Sequence, residues 1–381
     1  MHKKFSAATF FLLFAILLWA CTSAPEPLPS GGGGGSSDSE PTATTEVEAD
    51  PYPVVVPTST TAASGGDTTP AEAAVSPLPL TGALAEQDAE ISGLAWYSEY
   101  LIVLPQYPNF TETGADADGF IYAIPKDKIL AFVNGDTTPI DPIAVPFIAP
   151  GLQDSIAGFE GYESITFIGN QAFLTIEAET DSHVIAYLVT GVMAPDLTRL
   201  ALDTEKRTEI LAQADIPNLS EESIFVAGGL VGTIYEGNGA AITPAPLSHL
   251  FNTDLSAAKT IPFPNIEYRV TDATTPDADG YFWVLNYFFP GDDLLLPAND
   301  PIAQVFGEGP THAQFDQVER ILQLQFTDTG IILVNTAPIQ LALVDADTAR
   351  NWGGLAALDD LGFILATDKF PSTILAFVAA P

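Results

Sequence analysis

The chain of 381 residues is predicted to be all-β, a six-bladed β-propeller behind an export signal and a disordered linker. Three observations predict it. From about Thr81 onward, short runs rich in Val, Ile, Phe, Tyr, Leu and Thr are separated by Gly, Asp, Asn and Pro, the pattern of strands joined by turns. No long stretch carries a convincing helical period. One hairpin pattern recurs six times, as stacked repeats do.

His2, Lys3 and Lys4 form a basic head before Phe5–Ala20, an apolar run of sixteen residues. That is short for a membrane span, which needs ~20 residues, and right for an export signal. The run ends Leu18-Trp19-Ala20-Cys21, and Cys21 is the single cysteine. This stretch resembles the bacterial lipoprotein signal, which implies that Cys21 is lipidated and becomes the new N-terminus. The expected location is extracytoplasmic, on the cell membrane, with the bilayer touched only through the acyl anchor. A plain secretory signal or an uncleaved anchor is the alternative. A chain with one cysteine makes no internal disulfide, and its core offers no thiolate metal site.

Residues 21–80 read as a linker. They hold the five-glycine run Gly31–Gly35 among many Ser, Thr, Pro, Asp and Glu. Such a segment buries too little apolar area to offset its ordering entropy. At roughly 5–6 Å × √n, ~60 residues reach about 40–45 Å. "YPVVVP", Tyr52 to Pro57, is a candidate extended piece that docks on the domain. Without Lys3 and Lys4, ten of the 12 basic residues remain against 49 acidic ones, a net charge of −39. That charge repels nucleic acid and anionic surfaces, so no nucleic-acid partner is expected, and a monomer is.

Residues 81–381 are the expected propeller. Glu163-Ser164-Ile165 marks the repeat, Glu222-Ser223-Ile224 matches it, and Ser92, Asp272, Glu319 and Gly353 open weaker copies. Each is followed by a turn and an apolar strand ending in a polar residue: Gln106, Glu177, Glu236, Asn286, Asn335 and Asp368. The marker-to-end spacings are 14, 14, 14, 14, 16 and 15. Gly169-Asn170, Gly228-Gly229 and Asp279-Gly280 are strong hairpin turns at the centres. Simple pairing about those turns sets Glu163 opposite Glu177, Glu222 opposite Glu236, and Asp272 opposite Asn286. The last unit is short, so the segment before Ser92 is expected to supply its outer strand and close the ring.

"EISGLAWYSEYLIVL", "GFEGYESITFIGNQAFLTIE" and "NWGGLAALDDLGFILATDKFPSTILAF" resemble the bacterial phytase-like ("esterase-like activity of phytase") propeller domains, over roughly Leu84–Pro381. The resemblance implies a secreted or surface propeller. In true β-propeller phytases it would imply a calcium-dependent phosphatase, but their catalytic residues find no positional match here. The set Glu177, Asn286, Asn335 and Asp368 also shares residue types with the single-cation site of regucalcin and gluconolactonase propellers.

Like charges directly opposite on a sheet destabilise it. Two Glu pairs need either a held proton or a cation between them. The candidate metal ligands are therefore Glu163, Glu177, Glu222, Glu236, Asp272, Asn286, Glu319, Asn335 and Asp368. Hard oxygen donors in this number suit calcium. The other reading is that these side chains cap loop N–H groups. Arg269, Arg320, Arg350 and Lys369 lie beside the ring, either to balance it or to bind an anionic group of a ligand. Tyr287, Phe288 and Phe289 in "NYFFPGDD" are candidates to stack a sugar or grip a partner, or ordinary inter-blade packing. No G-x-S-x-G elbow and no P-loop occurs, and His183, His249 and His312 are scattered. The expected function is a surface-anchored binding propeller with a calcium site at its mouth, taking a small molecule, sugar or protein. The alternative is a calcium-dependent, phytase-like phosphoesterase or esterase.

Overall fold

The computed structural model describes residues 69–381, apart from 87–88, 112–116, 181–182 and 298. Cys21, the export signal, the glycine run and Tyr52–Pro57 lie outside the described residues. Two short strands come first, β1 (Glu72–Ala73) and β2 (Ser76–Pro77). The first meander is β3 (Ile91–Tyr97), β4 (Tyr100–Pro105), β5 (Gly119–Pro125) and β6 (Ile143–Ile148), with helix α1 (Lys126–Val133) between the last two. The second is β7 (Phe159–Ile168), β8 (Gln171–Thr180), β9 (His183–Met193) and β10 (Leu200–Leu211). The third is β11 (Glu221–Ala227), β12 (Leu230–Tyr235), β13 (Leu247–Phe251) and β14 (Ala257–Pro262). The fourth is β15 (Arg269–Ala273), β16 (Tyr281–Phe288) and β17 (Val318–Thr327), with β18 (Gly330–Leu333) and β19 (Ile339–Leu341) both paired to β17. Helix α2 (Pro301–Phe306) lies between β16 and β17. The fifth is β20 (Trp352–Leu358), β21 (Gly362–Thr367) and β22 (Leu375–Ala379).

The first strands of these meanders form a closed ring: β3 lies against β7, β7 against β11, β11 against β15, β15 against β20, and β20 against β3. Among the described residues the propeller therefore has five blades, not the six expected. The hydrophobic core divides the same way, with one buried cluster between each pair of neighbours. Ile102 and Ile165 belong to the cluster joining blades one and two, and Leu188 and Ile224 to that of two and three. Phe225 and Phe282 join three and four, Ile321 and Trp352 four and five, and Leu94 and Ile364 close five onto one. Each fully buried aliphatic or aromatic side chain contributes about 1.5–3 kcal/mol, so the stacking of blade on blade is the main stabilising term.

The miscounted unit was Glu319-Arg320-Ile321 with "IILVN". These residues form a true hairpin, β17–β18, turning at Thr327–Gly330. The other edge of β17 pairs with β16 over its full length, which makes it the third strand of blade four and keeps it off the axis.

The expected ring closure is observed. β2 pairs antiparallel with β22 and becomes the fourth strand of blade five. The same N-terminal segment adds β1 in parallel to β19 of blade four, and Leu80 bridges to Ile140 at blade one. Paired structure thus begins at Glu72, inside the segment read as linker. Glu72 fixes it: the buried carboxylate accepts from Thr311 N (2.9 Å), Thr311 Oγ1 (2.8 Å) and His312 N (3.1 Å), and meets His312 Nδ1 at 2.9 Å. Blades one and two are also joined at their rims, where β10 runs parallel to β6. No helix among the described residues is long and apolar enough to cross a membrane.

Candidate functional site

One irregularity recurs near the start of every inner strand. The ladder slips by one residue at Ser92, Glu163, Glu222, Thr271 and Gly353. A β-bulge of this kind sets two residues against one, bends the strand and re-aims the side chain at the slip. Counting from the bulges aligns the blades. The bulge row is Ser92, Glu163, Glu222, Thr271 and Gly353. A second row lies near the ends of the second strands or just after them: Gln106, Glu177, Glu236, Tyr287 and Asp368. A third lies two residues before each bulge: Glu90, Gly161, Ser220, Arg269 and Asn351.

The expected face-to-face glutamate pairs do not form. Glu177 is registered with Gly161, and Glu163 stands out of the ladder between Tyr162 and Ser164. Glu222 does the same between Glu221 and Ser223. In blade four the equal spacing misled the reading by one residue at each end: Thr271 and Tyr287 occupy the rows where Asp272 and Asn286 were expected. A one-residue shift reverses the face of a strand residue, so both expected ligands point elsewhere.

Asp272 falls in register with Gly93, Ser164, Ser223 and Gly354, on the axis below the mouth. There it is almost wholly buried and accepts from Ala273 N (2.8 Å), Leu355 N (2.6 Å) and Ser164 Oγ (3.4 Å). Burial holds its carboxyl well above the usual range, against those hydrogen bonds. Asn286 donates to the carbonyls of Glu267 (2.9 Å) and Arg269 (2.8 Å). Glu319 accepts from Arg350 and from Trp352 Nε1, both at 2.7 Å. Asn335 sits in an exposed bend. These four take no part in the mouth.

The mouth itself is a cavity of about 200 Å³ lined by Glu163, Glu177, Glu222, Glu236, Asp368 and Arg269, with Tyr287 and Asn351 beside them. Arg269 is the one cation lining it among the described residues. It pairs with Glu236 Oε1 at 2.5 Å and with Asp292 Oδ2 at 2.7 Å. Gln106 Nε2 donates to Glu163 Oε1 at 3.2 Å, and Asn351 Nδ2 to Asp368 Oδ2 at 3.0 Å. Tyr287 Oη donates in turn to Asn351 Oδ1. Glu177 Oε2 and Asp368 Oδ1 are buried and find no partner in the protein.

Burial pushes all five carboxyls up. Glu163 and Glu222 are raised well above the usual range by burial and then by the charge of a neighbour, Glu177 and Glu236 respectively. Glu177 and Asp368 are each raised to about 7, mainly by burial. Glu236 is raised less freely, because Arg269 pulls it back and its carboxylate shares a hydrogen bond with Glu222. Protons and one guanidinium therefore balance the cluster.

The four expected anion binders part company. Arg269 is at the mouth but engaged. Arg320 is committed to Asp300 (2.7 Å) and Asn286 (2.7 Å). Arg350 holds Glu319 and lies over the Trp352 ring at 5.1 Å. Lys369, at the rim, pairs with Glu90 at 2.7 Å. Of the aromatic trio, Tyr287 faces the mouth, Phe288 packs on Tyr268 at 5.3 Å, and Phe289 forms a rim pair with Phe370 at 5.9 Å. Phe370, Asn351 and Asp292 were missed by sequence reasoning, because only the bulge register and the loop after β16 bring them in.

No family model and no curated protein matches the chain. Solved structures give a loose likeness. A β-1,2-mannobiose phosphorylase from Listeria innocua is 15% identical, covering 80% of this chain and 94% of that one, with a TM-score of 0.42. An α-L-arabinofuranosidase from Clostridium thermocellum is 10% identical over 73% and 81%, TM-score 0.41. A soluble aldose sugar dehydrogenase from Escherichia coli is 10% identical over 81% and 99%, TM-score 0.37. Scores of this size carry no inference about activity.

The donor set does not fit the expected calcium as it stands. Among the described residues no three His, Cys, Asp or Glu side chains converge in a way that could hold a metal ion. One oxygen each of Glu163, Glu236 and Asp368 is already taken by Gln106, Arg269 or Asn351. What the mouth offers is a set of hydrogen-bond donors and acceptors of nearly neutral charge, which suits acid–base chemistry and hydroxyl recognition.

Proposed function

We propose that the protein is a propeller whose central mouth binds a small hydroxyl-rich ligand, a single sugar ring being the class that fits. One observation carries the reading: Glu177, 4% exposed, lines the cavity among four further carboxyls, and its buried Oε2 has no protein partner. A buried polar oxygen left unpaired costs about 1–3 kcal/mol, and ligand hydroxyls would relieve it. Protonated Glu163 and Glu222 can donate as well as accept, which a ring of hydroxyls needs. The rim pair Phe289–Phe370, with Phe370 46% exposed, offers an apolar face for the C–H side of a sugar. A phosphate ester is disfavoured: the buried guanidinium already holds two carboxylates, and the remaining groups are acids.

The test is calorimetric titration of the full chain with a panel of pyranoses and furanoses, beside inorganic phosphate and calcium chloride, with and without chelator. The expected result is saturable binding of at least one sugar, unaffected by chelator and weakened at least tenfold by Glu177→Gln. Phosphate binding tighter than any sugar, or sugar binding that requires calcium, would overturn the reading and restore the phosphoesterase or calcium alternative.

A further inference from the structure

The acids of the mouth outnumber the cations that could pair with them. Arg269 is committed to Glu236 at 2.5 Å and to Asp292 at 2.7 Å. Lys369 at the rim is engaged with Glu90 at 2.7 Å. Glu163, Glu177, Glu222 and Asp368 line the same cavity of about 200 Å³. The groups that hold these four are neutral or acidic. Gln106 Nε2 donates to Glu163 at 3.2 Å, and Asn351 Nδ2 to Asp368 Oδ2 at 3.0 Å. The Ser220 hydroxyl stands beside Glu177, and Glu222 shares a hydrogen bond with Glu236. Glu177 Oε2 and Asp368 Oδ1 are left over, buried and without a protein partner. Glu163 lies within reach of both charges.

Resting on the sugar-binding reading, we propose that the mouth prefers an amino sugar, a single ring that carries a free ammonium group, and seats that group among Glu163, Glu177 and Asp368. A ligand hydroxyl brings one donor and no charge. An ammonium brings three donors and a full positive charge. Hydrogen bonds with an ionised partner are roughly twice as strong as neutral ones. In the empty mouth, protons keep the unpaired acids from facing one another as like charges. The ammonium takes the place of one of those protons: a carboxyl releases its proton to solvent, the ligand keeps its own, and no covalent bond changes.

The surroundings give the exchange a pH signature. Glu177 and Asp368 are each raised to about 7, mainly by burial. Glu163, Glu236, Glu179 and Arg269 bear on Glu177, and Glu90, Lys369, Glu163, Glu236 and Tyr107 bear on Asp368. The acids among these push both groups toward keeping a proton; Arg269 and Lys369 pull the other way. Near pH 5 both carboxyls are neutral and an ammonium meets no anion. Near pH 7 each is half ionised, and the ammonium completes the ionisation. A neutral hexose has no charge to exchange and gains nothing over the same range.

The experiment is calorimetric titration of the full chain at pH 5 and pH 7 with glucosamine, galactosamine and mannosamine, beside their parent hexoses, their N-acetyl forms and butylammonium. At pH 7 one hexosamine should bind at least about tenfold tighter than its parent hexose and its N-acetyl form, and at pH 5 the advantage should shrink to about twofold or less. The heat of hexosamine binding near pH 6.5 should change with the ionisation heat of the buffer, which reports the released proton; that of the hexose should not. Glu177→Gln, and independently Asp368→Asn, should reduce the preference for the hexosamine over the hexose in chains whose circular dichroism is native. A parent hexose that binds as tightly as every hexosamine at pH 7 overturns the inference and leaves the sugar-binding reading standing. A preference untouched in both variants overturns the assignment of the residues. Butylammonium bound as tightly as the hexosamine overturns the ring as part of what is recognised. A chain that binds no sugar of any kind fails the binding reading first, and this one with it.

Discussion

Asp272 gives the sharpest test of how the blades are tied at the axis. Its carboxyl reaches from blade four to Leu355 N of blade five at 2.6 Å and to Ser164 Oγ of blade two at 3.4 Å, and also accepts from Ala273 N at 2.8 Å. The axis is tightly packed at this level: a Cβ on Gly93 would come within 3.1 Å of Ser164 Cα. In Asp272→Ala the two backbone N–H groups lose their acceptor in a place water does not reach. Each such orphan costs about 1–3 kcal/mol, so the expected loss is about 2–6 kcal/mol. The carboxyl is held well above its usual range by burial, so at neutral pH its removal returns little charge-desolvation energy to offset this. Asp272→Asn keeps one acceptor oxygen but turns its amide N–H toward the second donor, and should lose about half as much. The assay is urea unfolding, comparing midpoints at a constant slope. An Asp272→Ala midpoint that implies less than about 1 kcal/mol, or an Asn variant worse than the Ala variant, would refute the plug.

Three further outcomes follow from the same contacts. Glu177 and Asp368 hold protons in the folded state up to about 7, whereas the unfolded chain releases them near its ordinary values of 4.5 and 3.8. Their stabilisation is complete below about pH 4 and lost as pH rises through 7. Thermal melts should therefore fall from pH 5 to pH 8, by up to a few kcal/mol in total because the groups interact and do not add; a rising melt in that window contradicts the cluster. Arg269→Met leaves Glu236 uncompensated, so it should cost about 3–5 kcal/mol at pH 8 and less at pH 5, where Glu236 can take a proton; equal costs at both pH values would show that the pair is not buried. Glu72→Ala removes the acceptor of two backbone N–H groups and of the Thr311 and His312 side chains. It should cost about 2–4 kcal/mol and speed hydrogen exchange at Gln340 and Leu341, the partners of β1; unchanged exchange there would mean that the N-terminal segment is held by other contacts.

The propeller was legible because alternating strands, turns and a fixed spacing are local. Gly228 and Gly229 both have positive φ, 58° and 79°, and close their hairpin as the dipeptide predicts. Blade number was not legible, because β17–β18 is as good a hairpin as any inner one and only its pairing to β16 shows that it lies outside. The site was half legible. Glu163, Glu177, Glu222, Glu236 and Asp368 do converge. The fourth blade failed since a bulge leaves no mark in composition: Thr271 and Tyr287 are 16 apart in the chain, while the misleading pair Asp272 and Asn286 matches the spacing of 14. Long-range partners such as Asp292 and Asn351 carry no spacing signal at all.

The bulges also account for how so many acids share one mouth. Paired across a flat ladder, Glu163 and Glu177 would stand directly opposed, and so would Glu222 and Glu236, each pair with unfavourable like-charge contact. The slip moves Glu163 and Glu222 out of the ladder and sets Gly161 and Ser220 against Glu177 and Glu236 instead. The remaining repulsion is met by Arg269 on one side and by protons on the other. On this arrangement the propeller should keep its melting temperature in chelator at neutral pH, and a large drop there would restore the calcium expectation. The same arrangement leaves the mouth able to exchange protons with whatever enters it, which a cluster neutralised by a fixed metal would not do.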